Sequence, residues 1–279
     1  MIHPTLHRIV NEDYQSFFLI AGPCVIESYD LCKEIAVALK TTCTELDIPL
    51  IFKASFKKAN RTRLDSFATL GADKAIDILR KIKSDLGVAI TTDIHEVQDI
   101  GPVKDVVDLI QIPAFLCRQT DLLISAGQSG LPVNIKKGQF ATASTMAYAV
   151  EKVKHGQEML KEDISETVFL TERGTMHGYH DLIVDARSIS DMSAICTSII
   201  DITHSNQRPN QGSGITEGRD GGALLNAKVG LVAGARGIFL EAHPSPKQAL
   251  SDGATMIPLD EVDQLIKTCD ELSRFIRSS

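Results

Sequence analysis

Four polar side chains that could bind a divalent metal ion follow or lie close to the ends of apolar runs: Cys24, His204, Glu241 and Asp252. A thiol, an imidazole and two carboxylates suit zinc, iron or manganese and do not select among them. Their wide separation in sequence lends no support. Cys24 alone is more often a buried thiol than a ligand, His204 could equally be a satisfied core histidine, and Glu241 could be a loop cap. The set suggests a metal site and does not establish one.

A second group of candidate residues is cationic and also follows apolar runs. It comprises Lys53, Lys58, Arg61, Arg63, Arg118, Lys136, Lys137 and Arg173. Arginine offers a planar fork for phosphate or carboxylate and lysine a point charge, so converging cations predict a substrate with several anionic groups. The alternative, solvated surface charge, is the more frequent explanation for any one lysine. It is weaker for Lys53 and Lys136, because each closes an apolar run.

The elements that must position these residues alternate regularly along the chain. Strands are predicted at 17–21, 49–53, 88–92, 107–111, 133–135, 167–171, 198–203 and 237–240, and helices at 29–46, 72–85, 96–100, 119–127, 143–155, 222–235 and 259–276. Eight strands that alternate with helices favour a (β/α)8 barrel of the TIM type over a doubly wound sheet. We expect one domain over residues 1–279, with the residues before the first strand capping the barrel bottom. Active sites of such barrels lie at the C-terminal ends of the strands.

Composition narrows the class of protein further. The formal charge of −7 argues against nucleic acid or an anionic membrane as partner, and six widely spaced cysteines without a CxxC pair suggest neither a disulfide framework nor a zinc ribbon. No apolar run is long enough to span a bilayer, and the N-terminus lacks a signal-peptide pattern, so a cytoplasmic location is expected. The glycine-rich stretch 205–222 contains no phosphate-binding GxxxxGK[ST] motif.

Several longer motifs resemble one known family, the 3-deoxy-D-manno-octulosonate 8-phosphate synthases. They include Ala21-Gly-Pro-Cys-Val-Ile-Glu-Ser28, Phe52-Lys-Ala-Ser-Phe-Lys-Lys-Ala-Asn-Arg61, Thr92-Asp-Ile-His-Glu96, Gln111-Ile-Pro-Ala-Phe-Leu-Cys-Arg-Gln-Thr-Asp121, Val133-Asn-Ile-Lys-Lys-Gly-Gln-Phe140, Glu172-Arg-Gly174, Thr203-His-Ser-Asn-Gln207 and Glu241-Ala-His-Pro244. The motifs occur in the family's order over nearly the whole chain. The resemblance implies a transferase that condenses phosphoenolpyruvate with arabinose 5-phosphate for lipopolysaccharide synthesis. It also implies a homotetramer.

The resemblance assigns roles to individual residues. Cysteine at position 24 marks the metal-dependent members, so Cys24, His204, Glu241 and Asp252 are expected to be the metal ligands. Catalytic roles fall to His204, Asp93, Lys53 and Cys24, with the first two assisting proton movement. Substrate binding falls to Lys53, Ser55, Lys58, Asn60, Arg61, Thr62, Ala114, Phe115, Arg118, Lys136, Arg173 and Gln207, of which Arg118 would reach across from a neighbouring subunit.

Two alternative functions stay open at this point. The related 3-deoxy-arabino-heptulosonate 7-phosphate synthases act on erythrose 4-phosphate, but they carry Lys-Pro-Arg-Thr where this chain has Lys58-Ala-Asn-Arg61. The chain could also be a non-catalytic barrel that binds sugar phosphates. Three stretches depart from the family pattern, at 66–71, 175–197 and 214–220, and they bear on loop behaviour and aldose fit more than on the chemistry.

Overall fold

Eight parallel strands close into a barrel in the computed structural model, which describes residues 2–59, 66–160, 167–176, 181–208, 217–219 and 221–278. In chain order the barrel strands are Phe18–Gly22, Leu50–Lys53, Ala89–Asp93, Leu109–Ile112, Val133–Lys136, Val168–Glu172, Ser198–Asp201 and Gly237–His243. Each pairs with the next in parallel, and the first pairs with the eighth. The predicted (β/α)8 barrel is confirmed.

Helices connect the strands and surround the barrel. They are α1 (Pro4–Val10), α2 (Tyr29–Glu45), α3 (Ala72–Leu86), α4 (Ile100–Lys104), α5 (Thr120–Gly127), α6 (Met146–Glu158), α7 (Ala186–Ser193), α8 (Gly222–Val232) and α9 (Leu259–Ser278). The predicted start of α2 is confirmed, because Ser28 Oγ accepts a hydrogen bond from the amide of Leu31 at 3.1 Å.

Alternation along the strands divides the apolar residues into two cores. Side chains at every second position fill the barrel interior near the strand starts, including Phe18, Leu109 and Phe169. The intervening positions pack against the helices in a larger outer core. Because the inward positions turn polar towards the strand ends, the same alternation that packs the bottom presents charged groups at the top.

The N-terminal segment closes the bottom of the barrel, as predicted. Leu6 and Ile9 of α1 are buried in the inner core, and the ring of Tyr14 meets that of Phe18 edge to face at 6.1 Å. The end of α9 joins this closure, since Arg277 donates to the carbonyl oxygen of Tyr14 at 3.0 Å. Access to the interior is therefore from the C-terminal ends of the strands.

Three local features differ from the sequence-based expectation. Residues 4–10 form a helix rather than an unassigned apolar stretch. The eighth strand continues beyond 240 to His243, so Glu241 lies within the strand. The stretch 175–197 contains a small antiparallel pair, Thr175–Met176 with Leu182–Ile183, followed by α7, none of which was predicted. No helix in the described part of the chain is long and apolar enough to cross a membrane.

Candidate active site

Three of the four candidate metal ligands meet at the seam between the first and eighth strands. Donor atoms of Cys24, Glu241 and Asp252 all lie within 4.8 Å of one another. The Cys24 thiol donates to Asp252 Oδ2 at 2.9 Å, and Ser251 Oγ also lies 2.9 Å from the sulfur. Burial and the negative charges of Asp252 and Glu241 raise the pKa of the Cys24 thiol well above its usual value. A bound cation would relieve this repulsion.

The fourth candidate, His204, lies beside this group and faces a different partner. It begins a 3-10 helix, His204–Asn206, directly after the seventh strand. Its Nδ1 lies 2.8 Å from Asp201 Oδ2, and its Nε2 lies 3.7 Å from Glu241 Oε2. Because a histidine that binds metal through one nitrogen is commonly oriented through the other, Asp201 fixes His204 with Nε2 towards the group.

Asp201 also pairs with one of the predicted anion-binding lysines. Lys136 Nζ lies 2.5 Å from Asp201 Oδ2, and both side chains are buried. Burial lowers the pKa of Lys136 to about 8, although the charge of Asp201 opposes that shift. Burial alone would raise the pKa of Asp201, but His204 and Lys136 outweigh it and hold this pKa well below its usual range. Asp201 is therefore an anion shared by a lysine and a histidine.

Lys53 links the cationic residues to the metal-donor group. Its Nζ donates to Glu241 Oε1 at 2.7 Å and to the carbonyl oxygen of Cys24 at 3.1 Å, and both charged side chains are buried. Burial would raise the pKa of Glu241, but Lys53 and His204 lower it to about 2. This geometry depends on Gly22, because a Cβ there would lie 2.0 Å from the carbonyl oxygen of Lys53.

Arg173 directly follows the sixth strand, and its two terminal guanidinium nitrogens differ in their surroundings. Its Nη2 donates to Gln207 Oε1 at 2.6 Å, a neutral partner. Its Nη1 is buried and, among the residues that the structure describes, has no hydrogen-bond partner. Since buried polar groups are normally satisfied, an unmatched arginine nitrogen indicates the place of an absent anion.

Two more groups in the site have open positions of the same kind. Within the described ranges, Glu241 Oε2 and Ser55 Oγ are buried without a hydrogen-bond partner. An unpartnered carboxylate oxygen beside a thiol and a second carboxylate fits a metal ligand, and an unpartnered hydroxyl beside Lys53 fits a polar substrate. The residues present therefore fit a divalent ion next to an anionic substrate.

Asp93 closes the third strand and is held by a histidine. His95 Nε2 lies 3.2 Å from Asp93 Oδ2. Burial would raise the pKa of Asp93, but the hydrogen bond from His95 and the charge of Lys58 hold it well below its usual range. Lys58 is half-buried after the second strand. Burial would lower the pKa of Lys58, but nearby carboxylates, Asp93 and Glu241 among them, favour its charged form and raise this pKa.

The remaining residues predicted from sequence either lie near the protein surface or fall outside the residues that the structure describes. Ala114 and Phe115 start a 3-10 helix, Ala114–Leu116, after the fourth strand, and Phe115 is exposed. Arg118 is exposed beyond this turn. Asn60, Arg61 and Thr62, the expected sugar-phosphate ligands, lie outside the described residues.

Sequence reasoning missed two side chains that organise the site. Asp201 ends an apolar run three residues before His204, and a carboxylate at an inward strand position was an available signal. His95 lies two residues after Asp93 in Thr92-Asp-Ile-His-Glu96, but nothing in the spacing showed which atom it would contact. Asp201 holds His204 and Lys136, and His95 holds Asp93. Contacts of this kind cannot be deduced from the sequence alone.

The arrangement defines a class of protein, a (β/α)8 barrel with two groups of residues at its open end. One group consists of buried cations suited to an anionic substrate, and the other is a thiol and carboxylate donor group suited to a metal ion. The sequence profile of the DAHP synthetase I family matches residues 4–278. The chain belongs to this family.

Individual relatives cover almost the same span. A 2-dehydro-3-deoxyphosphooctonate aldolase of Desulfotalea psychrophila is 44% identical over 253 residues, which are 90% of this chain and 88% of the relative. Proteins of the same name are 41% identical over 267 residues in Syntrophobacter fumaroxidans, covering 94% and 89% of the two chains, and 43% identical over 258 residues in Vesicomyosocius okutanii, covering 92% and 90%.

Proposed function

We propose that this protein condenses phosphoenolpyruvate with arabinose 5-phosphate and water to give 3-deoxy-D-manno-octulosonate 8-phosphate and phosphate. The observation that carries the proposal is the pair of buried cations Lys136, which ends the fifth strand, and Arg173, which directly follows the sixth. Within the described residues, one guanidinium nitrogen of Arg173 has no hydrogen-bond partner. The relatives' shared name designates an octonate product, which favours arabinose 5-phosphate over erythrose 4-phosphate. In this reaction C3 of phosphoenolpyruvate bonds to the aldehyde carbon, water adds to C2, and the C–O bond to phosphate breaks.

Each part of the site has a place in this reaction. Lys53, Lys136 and Arg173 hold the carboxylate and phosphate of phosphoenolpyruvate, with Lys58 and the amides of 114–115 completing the set. Asn60, Arg61 and Thr62 hold the sugar phosphate, Ser55 contacts a substrate oxygen, and Gln207 orients Arg173. Fixed cations keep two anionic substrates side by side despite their repulsion, which replaces a costly encounter in solution.

Proton movement is assigned to Asp93 and His204. Asp93 stays ionised because His95 and the nearby lysines favour its charged form, and its Oδ1 is buried without a partner in the described part of the chain. It can therefore accept a hydrogen bond from a hydroxyl group of the aldose or from water. His204 holds Asp201 through Nδ1 and turns Nε2 towards the donor group, so with Nε2 on the ion its part in proton movement is limited to the Nδ1–Asp201 side of the ring.

A divalent ion belongs to the proposal, held by Cys24, Glu241, Asp252 and His204. When bound, it would supply Lewis-acid polarisation and orientation of the aldehyde and water. The donor set suits zinc, iron or manganese without selecting among them. Lys53 takes one oxygen of Glu241 and leaves the other for the ion.

Turnover with two aldoses tests the reaction. Purified protein with phosphoenolpyruvate and arabinose 5-phosphate should release phosphate, and erythrose 4-phosphate should support little release. Turnover with erythrose 4-phosphate alone would establish the heptulosonate reaction instead. Calorimetric binding of both substrates without phosphate release would establish a non-catalytic sugar-phosphate protein.

A matched pair of arginine variants tests the anion site. Arg173→Gln removes a charge-assisted bond worth about 1.5–3 kcal/mol, so KM for phosphoenolpyruvate should rise about 10- to 150-fold. Arg80→Gln, at an exposed residue of α3 that pairs with Asp77, should leave KM unchanged. Equal effects in the two variants would remove Arg173 from the site.

Chelation and one substitution test the ion. EDTA should abolish turnover and a divalent metal should restore it. Cys24→Asn should lower the bound-metal content measured by mass spectrometry, whereas Cys196→Ala, at a half-buried cysteine elsewhere, should leave it unchanged. Full activity after rigorous chelation would refute the metal assignment.

The proposal extends to a homotetramer in the cytoplasm. Phe115, Phe140 and Tyr148 are each more than half exposed, and the last two line a groove of about 350 Å³ that also includes Arg118. Contact between copies of the chain would bury these rings and bring Arg118 towards a neighbour's site. Analytical ultracentrifugation should give a tetramer, and Tyr148→Glu should shift it towards smaller species.

A further inference from the structure

The last residue of the sixth strand, Glu172, is a fully buried carboxylate outside the barrel interior. Thr171 and Arg173, on either side of it, face inwards: Thr171 Oγ1 bonds Asn134 inside the barrel at 2.7 Å, and Arg173 reaches Gln207. Strand alternation therefore directs Glu172 towards the surrounding helices. A buried carboxylate needs several donors to be tolerated there.

Glu172 obtains those donors from the backbone around Arg173 and from α7. Its Oε1 accepts from the amides of Arg173 at 3.1 Å and Gly174 at 2.7 Å. Its Oε2 accepts from Ser188 Oγ at 2.6 Å. Gly174 adopts φ +91°, a conformation that glycine accepts and that side chains disfavour, so the turn after Arg173 requires glycine here. The carboxylate thus fixes the main chain from which the Arg173 side chain extends.

The carboxylate of Glu172 also pairs with Lys137, the outward-facing residue next to Lys136. Lys137 is fully buried, and its Nζ lies 3.5 Å from Glu172 Oε1. The same nitrogen donates to Thr175 Oγ1 at 3.0 Å and to the carbonyl oxygen of Ala141 at 3.2 Å. Lys137 therefore binds the loop after the fifth strand to the loop after the sixth.

The pairing has a regular geometry. Lys136 and Arg173 face inwards from adjacent strands, while Lys137 and Glu172, each next to one of them, face outwards and contact each other. From this geometry we infer that Lys137, Glu172 and Ser188 form a positioning unit that sets the relative placement of Lys136 and Arg173 for the phosphoenolpyruvate anion. The inference rests on the proposed function. None of the three residues needs to touch the substrate.

One residue of the unit lies in the segment that follows the sixth strand and Gly174. Ser188 is the third residue of α7, which begins at Ala186 and is capped by Asp185. A change of conformation in the segment 175–197 would reach Glu172 through the Ser188 hydroxyl and Lys137 through the Thr175 hydroxyl. The steady-state signature of such a unit is a change in KM for phosphoenolpyruvate without a matching change in kcat.

Ser188→Ala is the gentlest test, because it removes one hydrogen bond and leaves the ion pair in place. We expect KM for phosphoenolpyruvate to rise about three- to tenfold, with kcat and the aldose KM within twofold of wild type. Ser188→Thr, which keeps the hydroxyl, should restore the wild-type KM. Ser190→Ala, at an exposed residue of the same helix, is the matched control and should change nothing.

A double variant separates positioning from stability. Glu172→Gln leaves Lys137 buried without its anion and should lower Tm, whereas Glu172→Gln with Lys137→Met removes both charges and should recover most of Tm. KM for phosphoenolpyruvate should stay raised in the double variant. Recovery of KM together with Tm, or an unchanged KM in Ser188→Ala, would overturn the inference. Absence of turnover in the wild type would instead refute the proposed function.

Discussion

Replacing Asp201 with asparagine should move the alkaline limit of phosphoenolpyruvate binding to lower pH. In the wild type, Asp201 Oδ1 accepts hydrogen bonds from the backbone amides of Thr203 at 3.0 Å and His204 at 2.9 Å. Asparagine keeps an oxygen that can accept the same two bonds. It removes the negative charge 2.5 Å from Lys136 Nζ. The amide nitrogen that replaces Oδ2 cannot accept from Lys136 or His204, so the substitution removes both their shared negative charge and their shared hydrogen-bond acceptor.

The magnitude follows from the pKa of Lys136, which is about 8 in the wild type. Loss of an adjacent opposite charge lowers a lysine pKa by about one to three units, to about 7 or below here. At pH 7.5 the charged fraction of Lys136 would fall from about three-quarters to about one-quarter or less. We expect kcat/KM for phosphoenolpyruvate to fall at least about threefold at this pH, with a smaller protonation effect at pH 6.

The same substitution should reduce stability in a pH-dependent way. Removing one partner of a buried ion pair costs about 3–5 kcal/mol. The pKa of Lys136 is lower in the folded protein than in an unfolded chain, so burying the protonated lysine costs stability. Without Asp201 this cost is larger wherever Lys136 is protonated. The added cost is lost as pH rises past about 8, where Lys136 becomes neutral. The difference in Tm between variant and wild type should therefore be larger at pH 6 than at pH 9.

The assay is a pH series of kcat/KM and Tm for wild type, Asp201→Asn and a control, Asp263→Asn. Asp263 pairs with Lys267 on the surface of α9 at 2.7 Å, so its loss should shift neither profile. An alkaline limb of kcat/KM at the same pH in Asp201→Asn and wild type would refute the reasoning, because Lys136 would then not depend on this carboxylate.

Three further outcomes are expected from simpler experiments. In the wild type, kcat/KM for phosphoenolpyruvate should decline above about pH 8 as Lys136 loses its proton, and a flat profile to pH 9.5 would contradict this. Ser28→Ala should lower the free energy of unfolding by about 1 kcal/mol in urea titrations, while Ser28→Thr should not. Gly22→Ala should lower the free energy of unfolding by about 1–3 kcal/mol and weaken substrate binding, because its Cβ would meet the Lys53 carbonyl oxygen. Gly101→Ala is the control, because a Cβ at Gly101 would point into open space.

Much of the barrel was predictable because its strands are buried on both faces. Such strands appear in sequence as short continuous apolar runs, and all eight were located to within a few residues. Strand ends were less certain: the eighth strand continues through the charged Glu241, since the inward face near the top of a barrel accepts polar residues. Helix α1 was missed because its formation depends on packing under the barrel, which a seven-residue pattern does not show.

The candidate site was predictable to the extent that its residues end strands. Cys24, Lys53, Lys136 and Glu241 were identifiable by that position, because parallel strands of a barrel bring their C-terminal ends together. Which groups pair could not be deduced, since the pairing depends on distances between strands remote in sequence. Asp201 shows this limit, because its role comes only from the lysine and histidine that it contacts.

The candidate donor group spans almost the entire length of the chain. Cys24 and Asp252, 228 positions apart, meet only where the first strand pairs with the eighth. Contacts of such separation form late, because the intervening chain must be ordered before they become favourable. During synthesis the thiol would leave the ribosome long before its carboxylate partners. This group could therefore bind a metal ion only after the first and eighth strands have paired. A bound ion would then slow unfolding by linking these two strands.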